Sequence, residues 1–235
     1  MRRLDFVGTA FLIALMASAA MSQSSKMNSV AVTHIKAEVP ITSLDDPAWQ
    51  NGKEVAIDTY WSGKEAPNGR HFKARLLWSD TALYVRFEAN QEESLIVSDQ
   101  PDLAKKTLGL WDRDVCEIFV APDAAKPDKY FEFEVAPTGE WVDVGIEFHN
   151  GKRISDFEYS SGMTSAVRID TGKVTSAIKI PWKALGKTPK HGDRWRGNLF
   201  RCVGKDPTRG YLAWQPTLTG EPSFHVPSKF GVFQF

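Results

Sequence analysis

Glu117, Glu132 and Glu134 lie on successive alternating segments, with Trp111, Tyr130 and Trp141 close by in the chain. Residues of these types support two kinds of chemistry. Two carboxylates about 5 to 9.5 Å apart, one with a raised pKa, would suit acid–base hydrolysis. The same carboxylates beside flat aromatic rings would suit capture of a neutral ligand with apolar faces and hydroxyl edges. The rings would cover the faces, and charged groups would bond the edges more strongly than neutral ones. Trp214, Asn198, Arg201 and Gln215 add a further ring and further donors later in the chain.

The elements that must position these groups are strands. Residues 115–120 are β-branched and aromatic and stop at Pro122, with the charged Trp111-Asp112-Arg113-Asp114 loop leading in. Alternation puts Cys116, Ile118 and Val120 on one face and Val115, Glu117 and Phe119 on the other. In residues 130–135 it sets Phe131, Phe133 and Val135 against Tyr130, Glu132 and Glu134. In residues 141–148 it sets Val142, Val144, Ile146 and Phe148 against Trp141, Asp143 and Glu147. A meander of the three then gives an apolar core face and an opposite face carrying Glu117, Glu132, Glu134, Asp143, Tyr130 and Trp141. On an open face such carboxylates stay hydrated at ordinary pKa, which favours binding over hydrolysis.

The rest of the chain reads the same way. Residues 72–78 and 83–89 form a hairpin across Ser79-Asp80-Thr81-Ala82, with Trp78 as a packing residue. Residues 165–169 and 174–180 form another across Asp170-Thr171-Gly172-Lys173, and Pro181 to Gly186 is a single helical turn in which Trp182 packs. Residues 193–203 and 211–214 are further strands, and the terminus is a loop and a closing strand. These elements make an all-β fold, an antiparallel jelly-roll-like sandwich of about ten strands with one short helical turn.

Arg2 and Arg3, the apolar run 11–16 and the small residues after it have the layout of an export signal over residues 1–22. The apolar stretch falls short of the ~20 residues that cross a bilayer. Residues 23–36 read as a Ser-rich linker, leaving one domain over 37–235. The protein is then periplasmic or extracellular, a monomer with no membrane-spanning segment after signal removal. With 29 basic and 29 acidic residues, nothing recommends nucleic acid or an anionic membrane as partner. Cys116 and Cys202 both fall at core-facing strand positions, where a disulfide and two buried thiols are equally compatible.

Five stretches carry a resemblance: Asp45-Asp46-Pro47-Ala48-Trp49, residues 111–119, Ile180-Pro181-Trp182, Trp214-Gln215-Pro216 and residues 224–231. In this order, along nearly the whole chain after the signal, they resemble carbohydrate-binding module family 9. The resemblance implies a non-catalytic β-sandwich that holds a sugar or a polysaccharide chain end between two tryptophans and supports polysaccharide breakdown, with structural calcium in some members. It assigns Trp111 and Trp214 to the sandwich and Glu117 to hydrogen bonding. Phe131 stands where the family has an arginine, and Arg201 is then expected to supply the missing donor. Glu132, Asn198 and Trp141 complete the expected ligand set.

Three rival readings follow from residues. Glu117, Glu132 and Glu134 would be the carboxylates of a hydrolase. Haem would need ligands from His149, His225 or Met163, since Cys-x-x-Cys-His is absent. Calcium would find hard oxygens on Asp112, Asp114, Asp123 and Asp128, though without EF-hand spacing.

Overall fold

The computed structural model describes residues 28–235. The expected signal and the first part of the expected linker lie outside them. From Ser29 onward the chain is not a linker. Its strands are β1 (Ser29–Ala31), β2 (Thr33–His34), β3 (Glu54–Ile57), β4 (Phe72–Trp78), β5 (Ala82–Asn90), β6 (Val115–Ala121) and β7 (Lys129–Val135). They continue with β8 (Trp141–His149), β9 (Lys152–Asp156), β10 (Thr164–Asp170), β11 (Lys173–Pro181), β12 (Arg194–Val203), β13 (Gly210–Ala213) and β14 (Gly231–Gln234). The helical turn is α1 (Trp182–Leu185). The four strands beyond the expected ten are β1, β2, β3 and β9, each of two to five residues. Such pieces are too short to show an alternation, and β1 and β2 pair in parallel with β14 and β4, distant in sequence.

One sheet runs β1-β14-β12-β6-β7-β8-β9, with β13 beside β12; the other runs β10-β11-β5-β4-β2, with β3 beside β4. Residues of both sheets, among them Phe72, Phe87, Ile118, Phe133 and Leu199, meet in the core between them. A second apolar layer covers the outer face of the larger sheet, built from Leu110, Phe119, Val142, Val144, Phe200 and Phe230. A third covers the smaller sheet around Trp49 and Tyr84. Strand β6 therefore has no solvent face, and each of its residues is buried.

Two expectations fall with this arrangement. Val135 pairs with Trp141, so Trp141 and Asp143 lie on the face toward the other sheet, while Val142, Val144 and Ile146 share the outer face with the glutamates. Asp143 is held there by Lys106 Nζ at 2.5 Å and by the backbone N–H of Ser161 at 2.7 Å. Cys116 pairs with Arg201 and Cys202 with Val115, so the two thiols point to opposite faces and are free. No disulfide joins them, because a one-residue offset in a strand reverses the side-chain direction.

Gly197 lies in β12 where β6 and β14 flank it. A Cβ there would stand 2.2 Å from the Phe233 ring and 2.5 Å from the Phe119 carbonyl oxygen. Gly197→Ala is expected to destabilise the fold by about 1–3 kcal/mol or more, because neither backbone nor packed ring yields freely. Urea unfolding checks this: the midpoint should fall with the slope unchanged, and an unaltered midpoint would mean that β14 can shift.

Candidate functional site

Glu117 and Glu134 face each other directly across the β6–β7 pair, and Glu132 follows two residues away on the same side. One carboxylate oxygen from each lies within 4.8 Å of the others. All three side chains are buried among Phe119, Val142, Val144 and Cys202. Like charges directly opposed in a sheet are unfavourable. At 4.8 Å two ionised carboxylates repel by roughly 3–4 kcal/mol with an effective dielectric of ~20. Burial first, and the neighbouring carboxylates second, push Glu117 and Glu134 well above the ordinary value of 4.5, and burial raises Glu132. The expectation of hydrated carboxylates fails because the second apolar layer closes the face.

A cleft of about 310 Å³ opens over this cluster, with Glu117 and Glu132 at its base. That volume is at the lower end of the roughly 300–1,000 Å³ of small-ligand sites. Trp111 stands at its rim on a short 3-10 turn, Leu110–Asp112, entered through Gly109 at φ 78°. Leu110 is fully buried and anchors the turn. The Arg209 guanidinium donates to the carbonyls of Trp111 at 2.8 Å and Arg113 at 2.6 Å, and Arg113 pairs with Glu140 at 2.9 Å. The loop that carries the indole is thus held in place, while the residue remains 36% exposed. Phe157 lies beside it, ring centroids 6.3 Å apart and planes 30° from parallel.

The far wall comes from Tyr211, Phe224 and His225. His225 Nδ1 shares a 2.8 Å hydrogen bond with the Tyr130 hydroxyl, and its Nε2 is 3.8 Å from Glu132. Burial, then the Arg153 charge, pushes its pKa down to about 3. The imidazole is therefore neutral at pH 7 and does not form an ion pair with Glu132. Cys202 points its thiol at Glu117 Oε1, 3.4 Å away.

Of the expected ligand set, Trp111, Glu117 and Glu132 come together in this cleft. The other four do not. Trp214 stacks on Phe233 at 5.9 Å over the bare backbone of Gly231 and borders a separate recess beside Asn28 and Lys53. Arg201 lies on the inner face, donating to the Arg70 carbonyl and to Gln91 Oε1. Asn198 is buried and ties both the N–H and the carbonyl of Gln215. Trp141 packs against the inter-sheet core.

Arg153 and Phe157 were missed, since residues 152–157 are mostly polar and give no alternation. The haem candidates are not brought together: His149 is exposed, and Met163 is in the core behind the sheet from His225. Among the loop aspartates, Asp114 accepts from the N–H groups of Ile96 and Gly204 and Asp123 from that of Ala125, so both carboxylates shape loops. Asp112 borders the cleft.

Comparison with known proteins gives one picture. A model of the carbohydrate family 9 binding domain-like family matches residues 42–235. An "Extracellular protein" of Arthroderma benhamiae is 27% identical over 171 residues, 66% of this chain and 74% of its own length. A candidate carbohydrate-binding protein from Bacteroides uniformis has the same fold, with a TM-score of 0.71 at 18% identity over 89% of this chain and 100% of that one. A family 9 carbohydrate-binding module from Caldicellulosiruptor kristjanssonii, solved with cellotriose, gives 0.63 at 17% identity over 88% and 93%. Solved with glucose, it gives 0.63 at 16% identity over 88% and 95%.

The buried carboxylates set a pH dependence that Glu134→Gln isolates. Their folded pKa values lie above the unfolded one, so the folded chain keeps protons that the unfolded chain releases, and their contribution to stability falls as pH rises above about 4.5. His225 works the opposite way below its ordinary value of 6.5 and is common to both proteins. In chelator-containing buffer the variant should melt higher than wild type at pH 7, by about 1–4 kcal/mol in stability, with the gap shrinking toward pH 5. A variant that melts lower at pH 7 would show that the three charges do not repel.

Proposed function

The chain belongs to the carbohydrate family 9 binding domain-like family, and on that premise we propose that the cleft beneath Trp111 takes the end of a sugar chain. In this reading the protein is exported and monomeric and serves polysaccharide breakdown by capture, without chemistry of its own. The observation that carries it is the exposed indole of Trp111, on a loop held by Arg209, lining one cleft with Glu117 and Glu132. A pyranose has apolar C–H faces and hydroxyl edges; the indole suits the first, and the carboxylates, Arg153 and His225 suit the second. The small volume of the cleft suits one or two sugar units and therefore a chain end.

Two rings that sandwich a sugar need about 7–8 Å between them, twice the carbon–carbon contact distance of 3.5–4.0 Å. Trp111 and Phe157, at 6.3 Å, are closer than that. Trp111 then serves as a platform with Phe157 as its edge, in place of a two-tryptophan sandwich with Trp214. Export is supported by the layout of residues 1–22 and by the relative known as an extracellular protein. No described helix is long and apolar enough to cross a membrane.

Hydrolysis is the second reading, because the raised pKa of Glu117 and Glu132 is what a general acid needs. The arrangement favours binding: Glu117 and Glu132 lie side by side on one sheet face beneath the cleft, whereas hydrolytic carboxylates flank the scissile bond. Cellotriose incubated with the protein should be recovered whole, and new reducing ends would favour hydrolysis.

Calorimetric titration with glucose and cellotriose tests the platform. Trp111→Ala should weaken binding by about 30-fold, equivalent to about 2 kcal/mol for a central aromatic contact. Trp214→Ala should leave affinity within about twofold while lowering the melting temperature, because the half-buried ring packs on Phe233 and Gly231. Equal losses from both, or none from Trp111→Ala, would move the site away from this cleft.

A further inference from the structure

We propose that Glu117, Glu132 and Glu134 hold a divalent cation of calcium's size beneath the cleft, each giving it one carboxylate oxygen. The first observation is their convergence, with the three oxygens within 4.8 Å of one another. The second is Glu134. It is completely buried, does not border the cleft, and no N–H or hydroxyl donor reaches either of its oxygens, whose close polar neighbour is another carboxylate, Glu132. A buried carboxylate left so is strongly unfavourable unless something neutralises it.

The protein's own cations make no ion pair with Glu134: Arg153 acts on Glu132 and Arg209 on Glu117 only through their fields. Among the described residues the basic nitrogen within 4.0 Å of these carboxylates is His225 Nε2, at 3.8 Å from Glu132. Arg209 spends its donors on the carbonyls of Gly204, Trp111 and Arg113. Either protons or a cation must then offset the charge. A proton shared between Glu132 and Glu134 would satisfy one pair only. A divalent cation satisfies all three oxygens at once.

A spread of up to 4.8 Å accommodates Ca²⁺, whose ligand oxygens stand at most about 4.6–5.2 Å apart, twice its bond length of 2.3–2.6 Å, and the flexible geometry it accepts suits carboxylates fixed by a sheet. Three carboxylates leave positions of a six- to eight-coordinate ion to be filled from the cleft side, by water or by hydroxyls. Glu117 and Glu132 each keep a second oxygen for the cleft. Access is through the cleft itself.

The test titrates CaCl₂, with no sugar present, into protein stripped with chelator, so its result does not depend on whether the cleft binds sugar. One Ca²⁺ per chain is expected, with a rise in melting temperature. Glu134→Gln should weaken binding by more than the about 10–100-fold that loss of a mere supporting partner brings. Glu132→Gln is the second probe should the first variant fold poorly, and Asp123→Asn, in an exposed turn, should bind as wild type does. The proposal is overturned if about 5 mM Ca²⁺ gives neither heat nor a melting shift, since protons alone would then neutralise the cluster. It is also overturned if Glu134→Gln or Glu132→Gln binds as tightly as wild type, or if Mg²⁺ binds as tightly as Ca²⁺.

Discussion

Everything at this site depends on one cross-strand register, the pairing of Glu117 with Glu134 between β6 and β7. That register brings two carboxylates together, and Glu132 joins them from the next outward position. A polar pair on a solvated face would be unremarkable. Here the loops that carry Leu110, Phe224 and Phe230 lay a second apolar layer over the strands. The same loops build the walls of the cleft, so site and charge burial have one cause.

The layer also explains which sequence readings succeeded. The meander of β6, β7 and β8, the hairpins β4–β5 and β10–β11, and the turn α1 were legible because each has its own alternation or its own Pro and Gly signals. Trp111 and Glu117 were legible as neighbours because a short turn and a strand separate them, and strands fix direction. The β8 face was misread for a physical reason. Alternation identifies two faces but not which one looks inward, and when both faces are covered by apolar residues the assumption that the apolar one is the core fails.

Trp214 and Arg201 show the other limit of a linear reading. Both are residue types suited to sugar contact, yet each compensates for a local packing problem. The Trp214 ring fills the space above Gly231 that a side chain would otherwise occupy. Arg201, buried on the inner face, satisfies a backbone carbonyl and the Gln91 amide where the long loop after β5 begins. Which role such a residue takes is set by partners far away in sequence, and Arg153 and Phe157 illustrate the converse, since only the β8–β9 pairing brings residues 152–157 to the cleft.

The site thus sets rigidity against charge strain. Arg209 and the Arg113–Glu140 pair hold the loop that presents Trp111, so the backbone of that loop does not need to be ordered when a ligand arrives, which spares that part of the entropy. Beneath it, the glutamates store unfavourable energy that a purely structural core would have removed with apolar residues, as buried ionic groups can often be replaced without loss of stability. In the proposed reading, the three carboxylates kept where Val or Leu would pack better are used at the cleft, which opens above them beside the exposed indole.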